Sequence, residues 1–342
     1  MNRRTAIRRL ATFFLTTASL AEAQQAGKIY RISFLDAGTA AGSAVLMKAF
    51  LQELSKLGWI EGKNFTIEYR FGESKGREHL GELAADLVRL KVDLIVVSGT
   101  PPALAAKSVT TTIPIVMASV GDPVGSGLVA SLAQPGGNIT GFSNLAPDLG
   151  TKRLEILKDA VPKLARVGVV RTPESGVTGN LQLKELRPAA LFLKLKLEEI
   201  DAQPDAKGLE SAFKTAKQKQ VQAIMTISNP PFFAERKRIV ELAVKYRLPA
   251  IYWQKEFVDE GGLMSYGADY DDLYRKAAHY VDRILKGTKP ADLPVQQATK
   301  FAFIISLKAA KQIGITIPYE LLARANQVIK ESAGIKPAWS SG

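Results

Sequence analysis

The chain has 342 residues, a net charge of +13 and a mean hydropathy of +0.00. It contains no cysteine, which excludes disulfides, thiolate nucleophiles and thiolate metal sites. Its basic residues alternate with acids and form no block with aromatics, which argues against a nucleic-acid surface. The length and the 46% hydrophobic content allow two domain cores, and we expect no cofactor. The two histidines, His79 and His279, fit helix surfaces better than a metal site.

Residues 1–23 have the order of an export signal peptide: a basic start, a short apolar segment and small residues around Ala21 and Ala23. The apolar segment LATFFLTTASL is too short to span a bilayer as a helix. We place cleavage after Ala23 and expect a soluble periplasmic protein that is not embedded in a membrane. Because no cysteine follows, we expect no lipid anchor, whereas Arg3 and Arg4 leave twin-arginine export open.

From Lys28 to Asn144 the pattern alternates between apolar strands and amphipathic helices. The first helix, SAVLMKAFLQELSKLG, should begin at an N-cap Ser43 and stop at Gly58. Another short helix is expected in VGSGLVASLA. Continuous apolar strands separated by helices are typical of a parallel sheet covered on both faces. The predicted strands of this unit are KIYRISFLD, NFTIEYRF, VDLIVVSG, IPIVMAS and ITGFSN.

The same alternation restarts after Asn144 without a flexible linker. A helix should begin at Asp148, and the helix TGNLQLKELRPAALFL should be kinked or broken at Pro188. The long helix YDDLYRKAAHYVDRILKG should end at Gly287. We therefore expect an α/β fold with two doubly wound, Rossmann-like lobes. The predicted strands of the second unit are RVGVVRT, KLKLEEIDA, VQAIMTIS, LPAIYWQ and GGLMSYGAD.

Ligands of open parallel sheets bind outside the carboxyl ends of the strands. In VVSGTPPA, Gly99 allows close approach to the backbone, Thr100 can cap the next helix, and free amides there favour a carboxylate. An ordinary tight turn would explain any one such loop, but three of them share this edge. The candidate ligand-binding residues of the first unit are Asp36, Gly38, Thr39, Ser98, Gly99, Thr100, Pro101, Ser119, Val120, Gly121, Asp122 and Asn144.

The second unit has the same loop pattern in SNPPFF, where a polar strand end is followed by two prolines and a helix. Aromatic side chains at these strand ends can enclose a flat ligand, and an aromatic core is the alternative explanation. The candidate ligand-binding residues of the second unit are Thr172, Ser228, Asn229, Phe232, Phe233, Tyr252, Trp253, Tyr266 and Asp269.

The last third of the chain carries AAHYVDRILKGTKPADLPVQ, LKAAKQIGITIP and LLARANQVI, and SGTPPALAAK and IPIVMASVGDPVGSG occur upstream. Over residues 28–330 the chain resembles the substrate-binding proteins of ABC transporters of the tryptophan/tyrosine type. The resemblance implies a type I periplasmic-binding-protein fold, whose two lobes are joined by a three-segment hinge. The implied hinge segments lie near 143–147, 266–269 and 296–300.

The resemblance also implies domain boundaries. The expected parts are a signal peptide at 1–23, a discontinuous first lobe at 28–145 and 268–330, a second lobe at 146–267 and a tail at 331–342.

The resemblance further implies an extracytoplasmic solute-binding component of an ABC importer. Its partners would be a small-molecule ligand, a permease and a separate ATPase subunit, and the protein would be a monomer and no enzyme. We expect a small carboxylate-bearing ligand, either an aromatic amino acid or a related aromatic or organic acid. The expected contacts are Ser98, Gly99 and Thr100 for the carboxylate, Phe232, Phe233 or Trp253 for the body, and Asp36, Asp122 or Asp269 for an α-amino group.

Two departures from the family and two alternatives stay open at this point. Tyr274 stands where the family frequently has glycine, and Thr172-Pro173 stands where an Asn-Pro pair is usual. The segment GSGLVA matches a dinucleotide-binding pattern, as an exported dehydrogenase would, but it follows a late strand. A sensor that presents its ligand to a membrane receptor would use the same binding chemistry.

Overall fold

The protein is described by a computed structural model for residues 28–173 and 176–330, without the side chain of Thr178. The predicted signal peptide at 1–23 and the predicted tail at 331–342 lie outside the described residues. In the described part, no helix combines the length and apolarity that crossing a membrane requires.

The first sheet has six strands that all pair in parallel, in the order β11-β5-β4-β3-β1-β2. Its central strands β3 and β4 are fully buried, because helices cover both faces and every side chain along these strands is apolar or small. The strands are β1 (Tyr30–Asp36), β2 (Phe65–Phe71), β3 (Leu94–Ser98), β4 (Ile115–Val120), β5 (Ile139–Ser143) and β11 (Gln296–Gln297).

Helices cover this sheet and complete the first lobe. Two of them, α1 and α10, pack against each other although they come from opposite ends of the chain. Trp59 fixes this contact after α1, since its Nε1 donates a buried hydrogen bond to Asp282 Oδ1 at 2.8 Å. The helices of the first lobe are α1 (Ala40–Lys56), α2 (Arg77–Arg89), α3 (Thr100–Val109) and α10 (Tyr270–Leu285).

The second sheet has seven strands in the order β13-β12-β10-β9-β8-β6-β7. All of its pairs are parallel except β10 with β12. Its strands are β6 (Arg166–Arg171), β7 (Lys196–Asp201), β8 (Ala223–Thr226), β9 (Ala250–Tyr252), β10 (Met264–Ala268), β12 (Phe301–Ser306) and β13 (Gln327–Ile329).

The helices of this lobe alternate with its strands, as the sequence pattern predicted. They are α4 (Ala146–Ala160), α5 (Gly176–Phe192), α6 (Ala206–Gln218), α7 (Pro230–Ala234), α8 (Arg236–Lys245), α9 (Glu256–Asp259), α11 (Leu307–Ile313) and α12 (Tyr319–Arg324).

The chain passes between the two sheets three times, after β5, after β10 and between β11 and β12. The predicted α/β fold with two parallel-stranded lobes is therefore confirmed. The prediction that residues 268–330 all return to the first lobe is wrong beyond β11. Phe301–Ser306 pairs antiparallel with Met264–Ala268, and Phe303 and Ile305 are buried in the core of the second lobe.

Two predicted helix starts differ from the structure. Helix α1 begins at Ala40 because Thr39, and not Ser43, accepts the capping hydrogen bond, from Gly42 N at 3.1 Å. Helix α4 begins at Ala146 instead of Asp148. Of the two alternatives for α5, the break does not occur, because the helix continues through Pro188, and the kink stays a prediction.

The segment VGSGLVASLA forms turns instead of a helix. Asp122 organises these turns, since its Oδ1 accepts from Gly125 N at 2.8 Å and its carbonyl from Ser126 N at 3.0 Å. Gly127 has a φ of +71°, which a helix does not allow. The glycines therefore favour the turn over the helix that the apolar residues alone predicted.

Candidate functional site

The carboxyl ends of the two sheets face each other across a cleft. The space between the atoms there amounts to about 530 Å³, including the mouth that opens to solvent. The cleft is lined by Asp36, Ser43, Leu46, Ser98, Gly99, Thr100, Pro101, Ser119, Gly121, Asn144, Ala146, Ser228, Asn229, Pro230, Phe233, Trp253, Gln254 and Tyr270.

Most of the predicted site residues come together in this cleft, because each of them follows or ends a strand whose carboxyl end faces the other lobe. Those that the structure brings to the cleft are Asp36, Ser98, Gly99, Thr100, Pro101, Ser119, Gly121, Asn144, Ser228, Asn229, Phe233 and Trp253.

Four predicted residues of the first lobe do not line the cleft. Gly38 lies beside the cleft residue Asp36, since its N–H donates to Asp36 Oδ1 at 2.5 Å. Thr39 caps helix α1. Val120 is buried in the core, and Asp122 holds the turn that follows β4. Asp122 therefore does not line this cleft.

Phe232 and Tyr252 pack in the core of the second lobe, where Tyr252 stacks on Phe257 at 4.6 Å between ring centroids. Tyr266 packs edge-on against Phe303. Asp269 caps α10 by accepting from Asp272 N at 3.0 Å.

Thr172 lines a neighbouring cavity between the lobes, which adjoins the cleft at Pro101 and Asn229. Thr172 thus lines this neighbouring cavity and not the main cleft.

Six lining residues were missed by the sequence analysis: Ser43, Leu46, Ala146, Pro230, Gln254 and Tyr270. Pro230, Gln254 and Tyr270 each adjoin a predicted site residue, and Ala146 lies two residues after Asn144. A window of two residues around each prediction would have found these four. Ser43 and Leu46 gave no such signal, because they lie on the inner face of α1, one helical turn apart.

The lobes touch on one side of the cleft, so the structure shows it closed. A Cβ atom added to Gly99, whose φ is +87°, would lie 2.9 Å from Pro230 Cγ. One added to Gly42 would lie 2.8 Å from Ala234 Cα. Glycines on the first lobe therefore allow α7 of the second lobe to approach this closely.

The first lobe contributes a buried carboxylate to the cleft. Asp36 is 2% exposed, and its Oδ1 accepts a hydrogen bond from Gly38 N at 2.5 Å. Burial raises the pKa of Asp36 to about 6, although Gly38 N and the nearby hydroxyls of Ser98 and Ser43 favour the ionised form. No cationic side chain of the described residues pairs with Asp36, so its charge is uncompensated within the protein.

The second lobe contributes two side-chain amides whose orientation is fixed. Asn229 Oδ1 accepts from Phe232 N at 2.8 Å, and Gln254 Oε1 accepts from Trp253 Nε1 at 2.8 Å. Both oxygens are thus engaged, while Asn229 Nδ2 and Gln254 Nε2 are buried without a partner among the described residues. Buried donors normally have a partner, so these two amides are suited to an acceptor on a ligand.

Behind the hinge lies a buried cation, Arg153. It is 2% exposed, and its guanidinium donates to Tyr266 O at 3.3 Å and to Ala146 O at 3.4 Å. Desolvation lowers the pKa of Arg153 to about 10, and no carboxylate of the described residues pairs with it. Asp36 on the first lobe and Arg153 on the second thus carry opposite charges near the cleft.

Aromatic side chains form the apolar part of the cleft. Trp253 packs edge-on against Phe257 at 4.6 Å between ring centroids, which holds the indole in place beneath Phe233 and Tyr270. The Tyr270 hydroxyl lies near Ser119 of the first lobe and Ser228 of the second.

The predicted cradle of free amides around Gly99 is not formed. Gly99 N donates to Ser119 O at 2.7 Å, since the pairing of β3 with β4 continues past Ser98. Thr100 is the first residue of α3 and makes no capping hydrogen bond with its side chain. Pro101 and Pro102 have no N–H, so this helix end offers few donors to an anion.

A profile of the protein family described as "ABC transporter substrate binding protein" matches residues 42–329. The chain belongs to this family. Members of this ABC substrate-binding family are binding proteins and not enzymes. The turns that GSGLVA forms also remove the strand-then-helix context that a dinucleotide-binding site requires.

Relatives of this family member bind aromatic amino acids. A tyrosine-binding protein of Clostridioides difficile (strain R20291) is 29% identical over 271 residues, which cover 78% of this chain and 75% of the relative. An ABC domain of Streptococcus pneumoniae in complex with L-Trp is 27% identical, covers 88% of this chain and 100% of its own, and superposes with a TM-score of 0.79.

A conserved domain protein from Vibrio cholerae O1 biovar eltor str. N16961 is 30% identical, with the same two coverages and a TM-score of 0.81.

Proposed function

We propose that this protein is the extracytoplasmic solute-binding component of an ABC importer and that it binds an aromatic α-amino acid in the closed cleft. The observation that carries the proposal is the charge arrangement of the cleft. An uncompensated carboxylate, Asp36, lies on one lobe, and the fixed donors of Asn229 and Gln254 lie on the other. A zwitterion complements both ends, and the ligands of the tyrosine-binding and L-Trp-bound relatives have this chemistry.

The proposed orientation differs from the sequence-based expectation. A ligand carboxylate at Ser98 would lie beside the negative charge of Asp36, and the Gly99 amide is already engaged. We therefore place the ammonium group at Asp36 and the carboxylate at Asn229 and Gln254, on the side of Arg153. The aromatic ring then packs on Phe233 and Trp253.

Transport follows from closure. Ligand contacts with both lobes favour the closed form, which would dock on a permease whose energy comes from a separate ATPase subunit. Residues 1–23 carry the basic, apolar and small-residue order of a cleavable signal peptide, which supports export to the periplasm.

The test is a thermal-shift panel on purified protein with L-tryptophan, L-tyrosine and L-phenylalanine, together with sugars and aliphatic amino acids. We expect at least one aromatic amino acid to raise the melting temperature by several degrees. A shift with a sugar and none with any aromatic amino acid would overturn the proposal.

The second-lobe amides provide the matched variants for this test. Gln254→Ala and Asn229→Ala should each weaken binding of the amino acid by about 10- to 100-fold, since each removes a donor to a charged group. Gln218→Ala, which changes an exposed glutamine at the end of α6, should leave the affinity unchanged. Calorimetric titration measures all three, and equal affinities across them would contradict the proposed carboxylate site.

A further inference from the structure

A buried hydroxyl of α10 reaches the cleft carboxylate through one serine. Tyr274 has no exposed surface, and its hydroxyl donates to Ser98 Oγ at 2.8 Å. Ser98 ends β3 and is in register with Asp36, the last residue of the neighbouring strand β1. The Ser98 hydroxyl lies beside the Asp36 carboxylate and favours its ionised form. Tyr274, Ser98 and Asp36 thus follow one another from the core to the cleft.

The direction of the hydrogen bond from Tyr274 decides whether the Ser98 hydroxyl donates to a ligand or accepts from it. A serine hydroxyl has one proton and two lone pairs. Because Tyr274 donates to the oxygen, the Ser98 proton is directed to Asp36. Ser98 then offers only a lone pair to the cleft, and Asp36 offers only carboxylate oxygens. This end of the cleft therefore accepts hydrogen bonds and donates none from these two side chains.

We propose that Tyr274 is a positioning residue that makes the cleft selective for ligands with a protonated amino group, by keeping Ser98 an acceptor toward the ligand. The inference rests on the proposed function, since it concerns how the same cleft chooses its ligand. With the Tyr274 hydroxyl removed, the Ser98 hydroxyl is free to rotate and can donate to a ligand oxygen. Discrimination against acids that lack the amino group should then fall.

Of Tyr274, Ser98 and Asp36, only Asp36 changes its protonation state near neutral pH. Among the residues that line the cleft, only Asp36 and Tyr270 are titratable. Burial raises the pKa of Tyr270 to about 12 and that of Tyr274 still further, so both stay protonated donors at neutral pH. Beyond the lining, Arg236 of the second lobe approaches the carbonyl of Gly42 and stacks on Phe233. The carboxyl of Glu256, whose pKa burial raises to about 7, acts on Tyr270 and Tyr274 and raises the pKa of both. Tyr270 and Tyr274 therefore keep their protons across the pH range in which Asp36 titrates.

The experiment compares Tyr274→Phe with wild type by calorimetric titration, using L-tryptophan and its deaminated analogue indole-3-propionate between pH 5 and 8.5. The matched control is Tyr280→Phe on the same helix. Tyr280 is also buried, but its hydroxyl donates to Pro294 O at 2.7 Å, away from Asp36. We expect Tyr274→Phe to reduce the preference for L-tryptophan over indole-3-propionate by about tenfold, a loss typical of one hydrogen bond to a charged group.

The same variant should also move the pH midpoint of L-tryptophan binding upward, because Asp36 loses the directed donor that favours its ionised form. Tyr280→Phe should leave the preference and the midpoint unchanged. Equal loss of affinity for both ligands, with an unmoved midpoint, would show that Tyr274 is only structural and would overturn the inference.

Two serine variants keep the test decisive if Tyr274→Phe folds poorly. Ser98→Ala should lose the preference, whereas Ser98→Thr, which keeps a hydroxyl, should retain it. Retention of the full preference by Ser98→Ala would overturn the inference. If wild type binds neither L-tryptophan nor L-tyrosine, the proposed function itself fails, and the inference fails with it.

Discussion

Asp36 is the residue whose environment differs most from that of an ordinary aspartate. Its carboxyl is buried without a cationic partner, and burial raises its pKa to about 6 from the ordinary 3.8. The folded protein therefore holds this proton to a higher pH than the unfolded chain. By linkage, the contribution of Asp36 to the free energy of unfolding is highest below pH 4 and falls as the pH rises through 6. A ligand ammonium group would compensate this cost when it binds.

Asp36→Asn should therefore separate stability from binding. At pH 8 the melting temperature of the ligand-free variant should exceed that of wild type, and at pH 4 the difference should vanish. Its affinity for an aromatic amino acid at pH 8 should fall by about 10- to 100-fold through the lost charged hydrogen bond. Thermal-shift and calorimetric measurements check both.

The control for this variant is Asp159→Asn, which alters an exposed carboxylate paired with Arg324. It should change neither quantity by much, since exposed ion pairs contribute little. A less stable Asp36→Asn protein at pH 8, or one with unchanged affinity, would refute this role for Asp36.

At the residue scale the sequence predicted the strand tips well and the side-chain directions poorly. Phe232 and Phe233 are consecutive in SNPPFF, yet Phe232 is in the core and Phe233 lines the cleft, since neighbours on a helix point about 100° apart. The hydrogen bond from Tyr274 to Ser98 joins residues far apart in the chain, and no local pattern predicts such a contact.

Helices α1 and α7 form the contact at which the two lobes meet. A Cβ at Gly42 would lie 2.8 Å from Ala234 Cα, so a methyl group there can be accommodated only if the lobes separate slightly. Because Gly42 lies within a helix, alanine also stabilises the first lobe by about 0.5–1 kcal/mol. Gly42→Ala should therefore stabilise the first lobe and disfavour closure of the cleft.

Gly42→Ala should keep or raise the melting temperature of the ligand-free protein and weaken ligand binding by about tenfold, if displacement of the contact costs roughly 1–3 kcal/mol. Gly81→Ala is the matched control, because Gly81 lies inside α2 with no atom near its absent Cβ. It should stabilise the protein without changing affinity. Undiminished affinity in Gly42→Ala would show that ligand binding does not require this contact.

Element boundaries were predictable where capping chemistry was unambiguous. Helix α10 and strands β1 to β5 lie within two residues of where the sequence pattern placed them. Helix α1 was misplaced because both Thr39 and Ser43 are capping residues, and only the structure shows which of them accepts the bond.

At the scale of the whole molecule, three crossings join lobes that each have their own sheet. Arg153 ties two of these crossings together through the carbonyls of Ala146 and Tyr266. The alternation of strands and helices predicted both sheets. It could not predict that β12 joins the second sheet, because an apolar strand pattern does not specify which sheet receives it.

The absence of cysteine from the chain allows closure to be tested with a single engineered disulfide. A Cβ at Gly38 would lie 3.5 Å from Ala234 Cβ, within the range that a disulfide spans. The double variant Gly38→Cys with Ala234→Cys should, when oxidised, lock the lobes shut and abolish ligand uptake. Reduction should restore it, and each single variant should bind under both conditions. Equal uptake by the oxidised and reduced double variant would show that entry needs no opening.

The most direct measurement is a calorimetric titration of wild-type protein with L-tryptophan and L-tyrosine at pH 8, repeated with Asp36→Asn. We expect saturable binding of at least one of these amino acids at a single site, and a loss of about 10- to 100-fold in the variant. Absence of binding by both, or binding with equal affinity to both proteins, would contradict a cleft built around an amino acid zwitterion.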